Sequence, residues 1–203
     1  MSSLPANAGQ HTSDVATTAQ LVSDSAHDLK NQVAIIASAA QAIDDPEIAE
    51  PVGDAARALM RQVHRLVVVS RIELDHPQSM ATITVRDLLS LASRRARREG
   101  WTGELDLDAL PADLAGAFVA APGTWLERLV CEFISCSPAA SATVAVTGQV
   151  DERGVRLRFP VDHSDYVHAV PLLQRIAGAV GADIAYDADD GAVRVRLVEA
   201  IRS

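Results

Sequence analysis

Apolar residues recur with heptad spacing in the first part of the chain. They stand alternately four and three residues apart, at Val22, Ala26, Leu29, Val33, Ile36, Ala40 and Ile43. This spacing predicts a helix that packs in a bundle or coiled coil. The series stops at Asp44, Asp45 and Pro46, and because proline cannot continue a helix, we expect the helix to end there.

A second apolar series with the same spacing begins near Pro51. Its members are Val52, Ala56, Leu59, Val63, Leu66 and Ser70. Only a short acidic connection separates the two series, so we predict an antiparallel helical hairpin over residues 14–77. Such a hairpin has an apolar face with no second layer of its own. We therefore expect two copies to close into a four-helix bundle, which makes the protein a homodimer.

The pattern becomes mixed after residue 77. Extended segments are predicted at 82–85, 104–107, 143–147, 155–159, 183–186 and 193–198, and helices at 86–99, 122–135 and 167–180. Helices segregated against a mixed sheet indicate an α/β sandwich over residues 78–203. The predicted fold class is α+β, and residues 1–13, rich in small polar side chains, predict a flexible tail.

The composition and net charge argue against several classes of function. The 203 residues suffice for two small domains, and 48% of them are hydrophobic. A formal net charge of −9 argues against non-specific nucleic-acid binding, which needs a cationic surface. No apolar run approaches the roughly 18 residues of a membrane span, and no signal peptide is evident, so we expect a cytoplasmic protein. The cysteines, Cys131 and Cys136, predict buried reduced thiols rather than a metal site.

The segment with the clearest chemistry is His27-Asp28-Leu29-Lys30-Asn31. His27 follows the seam residue Ala26, so it projects at the edge of the bundle, where a neutral imidazole is an accessible nucleophile. Asp28 can hold the proton of one ring nitrogen while the other attacks phosphorus. Asn31 lies one turn further on the same face, where its amide can contact phosphoryl oxygens or a water, and Lys30 offers positive charge.

This segment, placed near the start of the first helix of a hairpin, resembles the phosphoacceptor box of bacterial two-component histidine kinases. In that family the box is a histidine, an acidic, an apolar and a basic residue, followed by Asn, Thr or Ser. The resemblance extends from about residue 14 to the end of the chain. It implies a dimerisation and phosphotransfer hairpin followed by an ATP-binding domain.

The ATP-binding half departs from the family pattern at each nucleotide motif. Glu132 and Cys136 stand where the family has asparagines that help hold magnesium, and a thiol is a poor ligand for Mg²⁺. Asp162 matches the adenine-reading aspartate, but the glycines that should follow it are missing. The stretch 166–171, in place of the phosphate loop, contains no glycine, and the lid is missing as well.

A kinase-like chain without a nucleotide site implies a histidine phosphotransferase of a phosphorelay. His27 would carry a phosphoryl group between receiver-domain aspartates, Asp28 would orient the imidazole, and Lys30 and Asn31 would help bind phosphate or the receiver. The expected partners are response-regulator receivers and a hybrid histidine kinase. No cofactor is expected on this chain, since the Mg²⁺ belongs to the receiver.

Three alternatives stay open at this point. A divergent nucleotide site would make the protein a true histidine kinase with autokinase activity. A non-catalytic adaptor would regulate a kinase or response regulator without using His27. A phosphatase would use Asn31 to orient water against the phospho-aspartate of a partner.

Overall fold

The chain divides into two compact units, Met1–Pro77 and Gln78–Ser203. This computed structural model describes residues 8–74, 79–138 and 143–197. In the first unit, helix α1 spans Ala8–Ala40 and helix α2 spans Pro46–Glu73. Residues 41–45 join the two helices, which pack against each other as an antiparallel hairpin. The hairpin that the two heptad series predict is thus confirmed.

Both helices begin earlier than the sequence pattern predicts. Helix α1 starts at Ala8, so residues 8–13 are helical and not part of a tail, while residues 1–7 lie outside the described residues. Helix α2 starts at Pro46 rather than near Pro51. Asp45 caps it by accepting a hydrogen bond from the Glu47 backbone N–H at 3.0 Å. Pro46 occupies the first helical position, where the missing N–H costs no hydrogen bond.

Only half of the heptad positions are buried between the two helices. The buried half consists of small side chains: Ala26, Val33, Ala40, Ala56, Val63 and Ser70. The large side chains that alternate with them stay 39 to 46% exposed, namely Leu29, Ile36, Leu59 and Leu66. In both helices these large residues lie on the same side of the helix contact. Because the helices are antiparallel, they form one apolar face, which we call the open apolar stripe.

The second unit contains four helices and eight strands within its described residues. The helices are α3 (Val85–Arg98), α4 (Ala112–Gly116), α5 (Gly123–Ser135) and α6 (His163–Val180). The strands are β1 (Met80–Thr84), β2 (Glu104–Leu105), β3 (Phe118–Pro122), β4 (Thr143–Val144), β5 (Thr147–Asp151), β6 (Gly154–Pro160), β7 (Asp183–Asp187) and β8 (Ala192–Leu197).

These strands form three sheets. Strands β1 and β3 pair antiparallel, β2 and β4 pair parallel, and an antiparallel sheet has the order β5-β6-β8-β7. Helix α5 packs against α3 and α6 and contacts the large sheet through the stacked rings of Phe133 and Phe159, 5.3 Å apart. The core thus lies between these helices and one face of the four-stranded sheet, which gives the α+β fold that the sequence predicts.

Several elements differ from their predicted bounds. The apolar run 143–147 is not one strand, because β4 pairs with β2 while β5 pairs with β6, and the chain changes sheets between them. Helix α6 begins at His163 instead of Val167, since Asp162 caps it. Strand β3 and helix α4 were not predicted, and the predicted last residue of β8, Val198, lies outside the described residues.

Cys131 and Cys136 are both fully buried and form no disulfide, as expected for buried reduced thiols. Burial raises the pKa of the Cys131 thiol to about 12. The thiol is therefore protonated at neutral pH, and since the thiolate is the reactive form, Cys131 is chemically inert in the folded protein.

Candidate functional site

The candidate phosphoacceptor segment lies on the solvent-exposed side of α1. The side chains of Asp28, Lys30 and Asn31 are exposed, and that of His27 is 75% exposed. The Nδ1 atom of His27 lies 3.7 Å from Oδ1 of Asp28. This distance is within reach of an ion pair but longer than a hydrogen bond.

The helical rotation explains why His27 faces solvent. Ala26, one residue earlier, is 1% exposed in the helix contact. A rotation of about 100° per residue carries His27 out of that contact. The same rotation places Leu29, a member of the open apolar stripe, about 160° around the helix from His27. A protein that covers the stripe therefore leaves the imidazole accessible.

The two ring nitrogens of His27 have different surroundings. Nδ1 is the nitrogen near the Asp28 carboxylate, which favours the tautomer with its proton on Nδ1. In this tautomer Nε2 carries the lone pair and is the ring nitrogen available to act as a nucleophile. Asn31, one turn along α1, brings an exposed amide to the same side of the helix.

The counterpart of the adenine-reading aspartate has a local structural role. Asp162 Oδ1 accepts hydrogen bonds from the Ser164 hydroxyl at 2.5 Å and from the backbone N–H groups of Ser164 at 2.9 Å and Asp165 at 3.3 Å. These bonds, the one from the Ser164 side chain foremost, lower the pKa of Asp162. The carboxylate is thus committed to capping α6.

The connection between β6 and α6 leaves no room for a lid. Strand β6 ends at Pro160 and α6 begins at His163, so Val161 and Asp162 alone join them. The stretch 166–171, which matches the family's phosphate loop, lies within α6. Backbone N–H groups inside a helix bond to carbonyls one turn earlier, so they cannot converge on a phosphate.

Glu132, at a position where the family has a metal-holding asparagine, is buried in an ion network. Its carboxylate pairs with Arg128, and Arg128 Nη1 donates to Oε1 and Oε2 of Glu99 at 2.6 and 2.8 Å. The Arg128 side chain is 1% exposed. Burial by itself lowers the pKa of Arg128, but Glu132 and Glu99 outweigh it, and the pKa is raised overall. Arg128 therefore stays charged.

The sequence analysis does not predict this network, although the spacing of two of its members is a signal for it. Arg128 and Glu132 are four residues apart in the apolar helix α5, a spacing at which opposite charges meet. Glu99 is 29 residues away in sequence, so nothing local indicates that it completes the network. Among the described residues, no group of three or more His, Cys, Asp or Glu side chains is arranged to hold a metal ion.

No protein-family model matches the chain, and no curated protein matches its sequence. Solved structures do match its fold. Full-length ShkA in complex with AMPPNP is similar with a TM-score of 0.55 and 15% identity over 89% of this chain, which spans 45% of ShkA. The Acinetobacter baumannii histidine kinase AdeS is similar with a TM-score of 0.53 and 10% identity over 85% of this chain and 97% of AdeS.

The chain therefore has a histidine-kinase-like fold. The cytoplasmic segment of the histidine kinase QseC also matches, with a TM-score of 0.43 and 22% identity over 72% of this chain and 95% of that segment. At these identities the similarities to ShkA and AdeS establish the fold alone, and the activity has to be argued from the residues of the site. Within the described ranges, no helix has both the length and the apolar character to span a membrane.

Proposed function

We propose that the protein is a histidine phosphotransferase of two-component signalling, which carries a phosphoryl group on His27 between receiver-domain aspartates. One contrast supports this proposal. The histidine-kinase fold presents an exposed histidine beside an aspartate, while a connection of two residues replaces the nucleotide lid. On this proposal the chain accepts its phosphoryl group from another protein and does not take one from ATP.

The transfer step involves one bond broken and one bond formed. The lone pair of His27 Nε2 attacks the phosphorus of an acyl phosphate on the receiver. The bond from phosphorus to the aspartyl oxygen breaks, and the aspartate leaves as a carboxylate. The phosphorus–nitrogen bond leaves positive charge on the imidazole, and the Nδ1 proton faces the Asp28 carboxylate, which stabilises that charge. The reverse step delivers the group to the next receiver.

Lys30 and Asn31 bind the phosphoryl group or the receiver surface around it. Both are exposed and lie within one turn of His27. The Lys30 ammonium complements phosphoryl oxygens, and the Asn31 amide donates hydrogen bonds to them. This chain supplies no cofactor to the step, since the Mg²⁺ that the acyl phosphate requires sits in the acidic pocket of the receiver.

The open apolar stripe supports a homodimer. Leu29 and Ile36 on α1 and Leu59 and Leu66 on α2 are large, exposed and arranged on one face. Heptad positions of this kind bury against a second pair of helices in a four-helix bundle. A second copy supplies such a pair, and because His27 lies on the far side of α1, dimerisation leaves both phosphoacceptor histidines accessible.

A charge on the open apolar stripe should separate the dimer. We expect Ile36→Glu to shift the protein from dimer to monomer in sedimentation equilibrium, because a carboxylate would be buried at the bundle interface. The matched control is Ile35→Glu, at a residue 70% exposed and rotated about 100° away from the stripe. Equal dimerisation of both variants would show that the stripe is not the interface.

The source of the phosphoryl group tests the proposed function. The purified chain is incubated with radiolabelled ATP and Mg²⁺ alone, and separately with receiver domains of its source genome that have been labelled on aspartate. We expect acid-labile label on the chain only with labelled receivers. Label from ATP alone would indicate a kinase, and no label under either condition would contradict phosphotransfer and favour the adaptor.

A further inference from the structure

A groove lies between α1 and α2 at the end of the hairpin that carries the connection 41–45. Its volume is about 390 Å³. The buried and half-buried residues that line it are small, namely Ala37, Ala40, Ala49 and Gly53. Because each of these has a single methyl group or no side chain, the groove leaves room for side chains of a second molecule. We call it the loop-end groove.

The loop-end groove opens on the side of the helix contact opposite to the open apolar stripe. On α1, Ala37 is rotated by about 100° from the stripe residue Ile36, and the buried Ala40 lies between their directions. On α2, Gly53 is rotated by about 120° from the stripe residue Leu59. A second copy that covers the stripe therefore leaves the groove open.

The end of the hairpin around the groove is strongly acidic. Residues 31–56 contain five carboxylates and no lysine or arginine. The carboxylates are those of Asp44, Asp45, Glu47, Glu50 and Asp54. Within the described part of the chain, Asp54 alone of these five has an ion pair, with Arg57. Most of the negative charge at this end of the hairpin is thus not neutralised by the protein itself.

Glu50 places part of this charge at the groove. It is exposed and lines the groove on α2, and Glu47 and Asp54 share its face of the helix, three residues before it and four after it. Carboxylates at these spacings repel each other and destabilise a helix. The helix dipole favours Glu47, in the first turn of α2, but its effect falls off before Glu50. A cation beside Glu50 would remove this repulsion.

Gly53 keeps the groove open. Glycine in the interior of a helix is less favourable than alanine, so its presence there has a cost. A Cβ atom at this position would lie 3.3 Å from Nη1 of Arg57, because the Arg57 side chain folds back over Gly53. The missing side chain therefore leaves space in the groove and lets Arg57 reach Asp54 beside it.

We propose that the loop-end groove is a docking surface for a basic amphipathic helix of a partner protein. Aliphatic side chains of this helix enter the groove, where the small residues of α1 and α2 allow a third helix to come close. Lysine or arginine side chains beside them pair with Glu50 and Glu47. The same carboxylates repel nucleic acid and acidic segments, so charge complementarity selects a basic partner.

This docking surface goes beyond the proposed phosphoryl transfer. Ala37 lies ten residues from His27, which corresponds to about 15 Å along α1, and the groove uses no residue of the candidate phosphoacceptor segment. A His27→Gln variant should therefore bind the basic helix as the wild type does. Loss of docking and loss of phosphotransfer are thereby measured separately.

Fluorescence anisotropy on the full chain tests the proposal. The probe is a labelled synthetic helix of about 18 residues with leucine and alanine on one face and lysine on the other. We expect saturable binding that weakens as sodium chloride is raised, because exposed charge pairs are screened by salt. A peptide of the same composition, with its lysines spread over all faces, should bind at least about tenfold more weakly, since it presents no apolar face.

Filling the groove should prevent docking. We expect Gly53→Leu to weaken peptide binding roughly tenfold, because the new side chain occupies the space that the partner helix needs. The matched control is Ala58→Leu, which adds the same side chain to α2 at an exposed position about 140° around the helix, and it should bind as the wild type does. Ala37→Leu fills the groove from α1 and replaces Gly53→Leu should that variant lose its helical circular dichroism.

Removing the acidic charge should also weaken docking. We expect Glu47→Gln/Glu50→Gln to bind the peptide about fivefold more weakly, since two exposed ion pairs are lost. The matched control is Glu152→Gln/Asp189→Asn, which removes the same charge from exposed positions of the second unit and should leave binding unchanged.

Several outcomes would overturn the docking surface. Equal binding by Gly53→Leu and Ala58→Leu would place the peptide elsewhere on the protein. An equal loss in the two charge variants, or equal affinity for the peptide with scattered lysines, would indicate general attraction to negative charge. Dissociation of the dimer by the peptide in sedimentation equilibrium would show binding to the open apolar stripe instead, and the absence of saturable binding would contradict the proposal directly.

Discussion

Replacing His27 by glutamine is expected to reduce phosphoryl labelling from an aspartyl-phosphorylated receiver to background. The substitution removes the Nε2 lone pair that forms the bond to phosphorus, and the glutamine amide that replaces it is not a nucleophile. We expect a loss of at least about a thousandfold in the transfer rate. The measurement is the rate at which label leaves the receiver and appears on the chain.

The matched control for this experiment is His168→Gln. His168 is also an exposed histidine on a helix, but it lies on α6 in the second unit. We expect its substitution to leave the labelling rate unchanged. Both histidines are exposed, so neither substitution should change the free energy of unfolding by more than about 0.5 kcal/mol. Unchanged labelling of His27→Gln would contradict the phosphotransferase and favour a non-catalytic adaptor.

The exposure of the candidate phosphoacceptor segment could be predicted from sequence because all its members are local. His27, Asp28 and Asn31 lie within two turns of one helix, and the helical repeat alone decides which of them share a face. The burial of Ala26 beside them follows from the heptad seam. No contact from a distant part of the chain is needed to place them.

The heptad series also shows where local sequence patterns are no longer sufficient to predict which residues are buried. The heptad series predicts an apolar face on the hairpin without dividing its members, whereas the structure buries Ala26 and Val33 between the helices and leaves Leu29 and Ile36 exposed. The spacing alone does not say which members face the other helix of the hairpin. Residue size was the available signal, since small side chains permit the close approach of two helices and the larger ones then remain for a second pair.

In the second unit the unpredicted features depend on non-local pairing. Arg156 and Arg196, 40 residues apart in the chain, lie side by side only because of the register between β6 and β8. The short strand β3, Phe118–Pro122, has little alternation in its sequence and is held by its pairing with β1. Glu99, which completes the Arg128 network, likewise lies at the C-terminal end of α3, whereas Arg128 lies on α5.

The Arg128 network yields the prediction with the largest expected effect on stability. We expect Arg128→Ala to lower the free energy of unfolding of the second unit by about 3 to 5 kcal/mol. The substitution leaves the Glu132 carboxylate buried without the cation that pairs with it, while Glu99 retains its contact with Arg95. Such a loss is a large part of the stability of a small domain, so a fraction of the variant should be unfolded even without denaturant.

Denaturant unfolding followed by tryptophan fluorescence measures this effect in the second unit alone. Both tryptophans of the chain, Trp101 and Trp125, are buried there. The control is Arg98→Ala, which removes an exposed arginine from α3 and should change the unfolding free energy by less than about 0.5 kcal/mol. Equal unfolding midpoints for the two variants would show that the network contributes nothing measurable.

A double variant, Arg128→Met/Glu132→Leu, distinguishes the cost of an unpaired charge from the value of the ion pair itself. Removing both partners eliminates one buried carboxylate along with the cation, so we expect the double variant to be more stable than Arg128→Ala. Glu99 keeps its contact with Arg95 at 3.3 Å and is not stranded. This outcome would show that the unpaired Glu132 carboxylate causes much of the loss in Arg128→Ala, at a position where the resemblance implies a magnesium-holding asparagine.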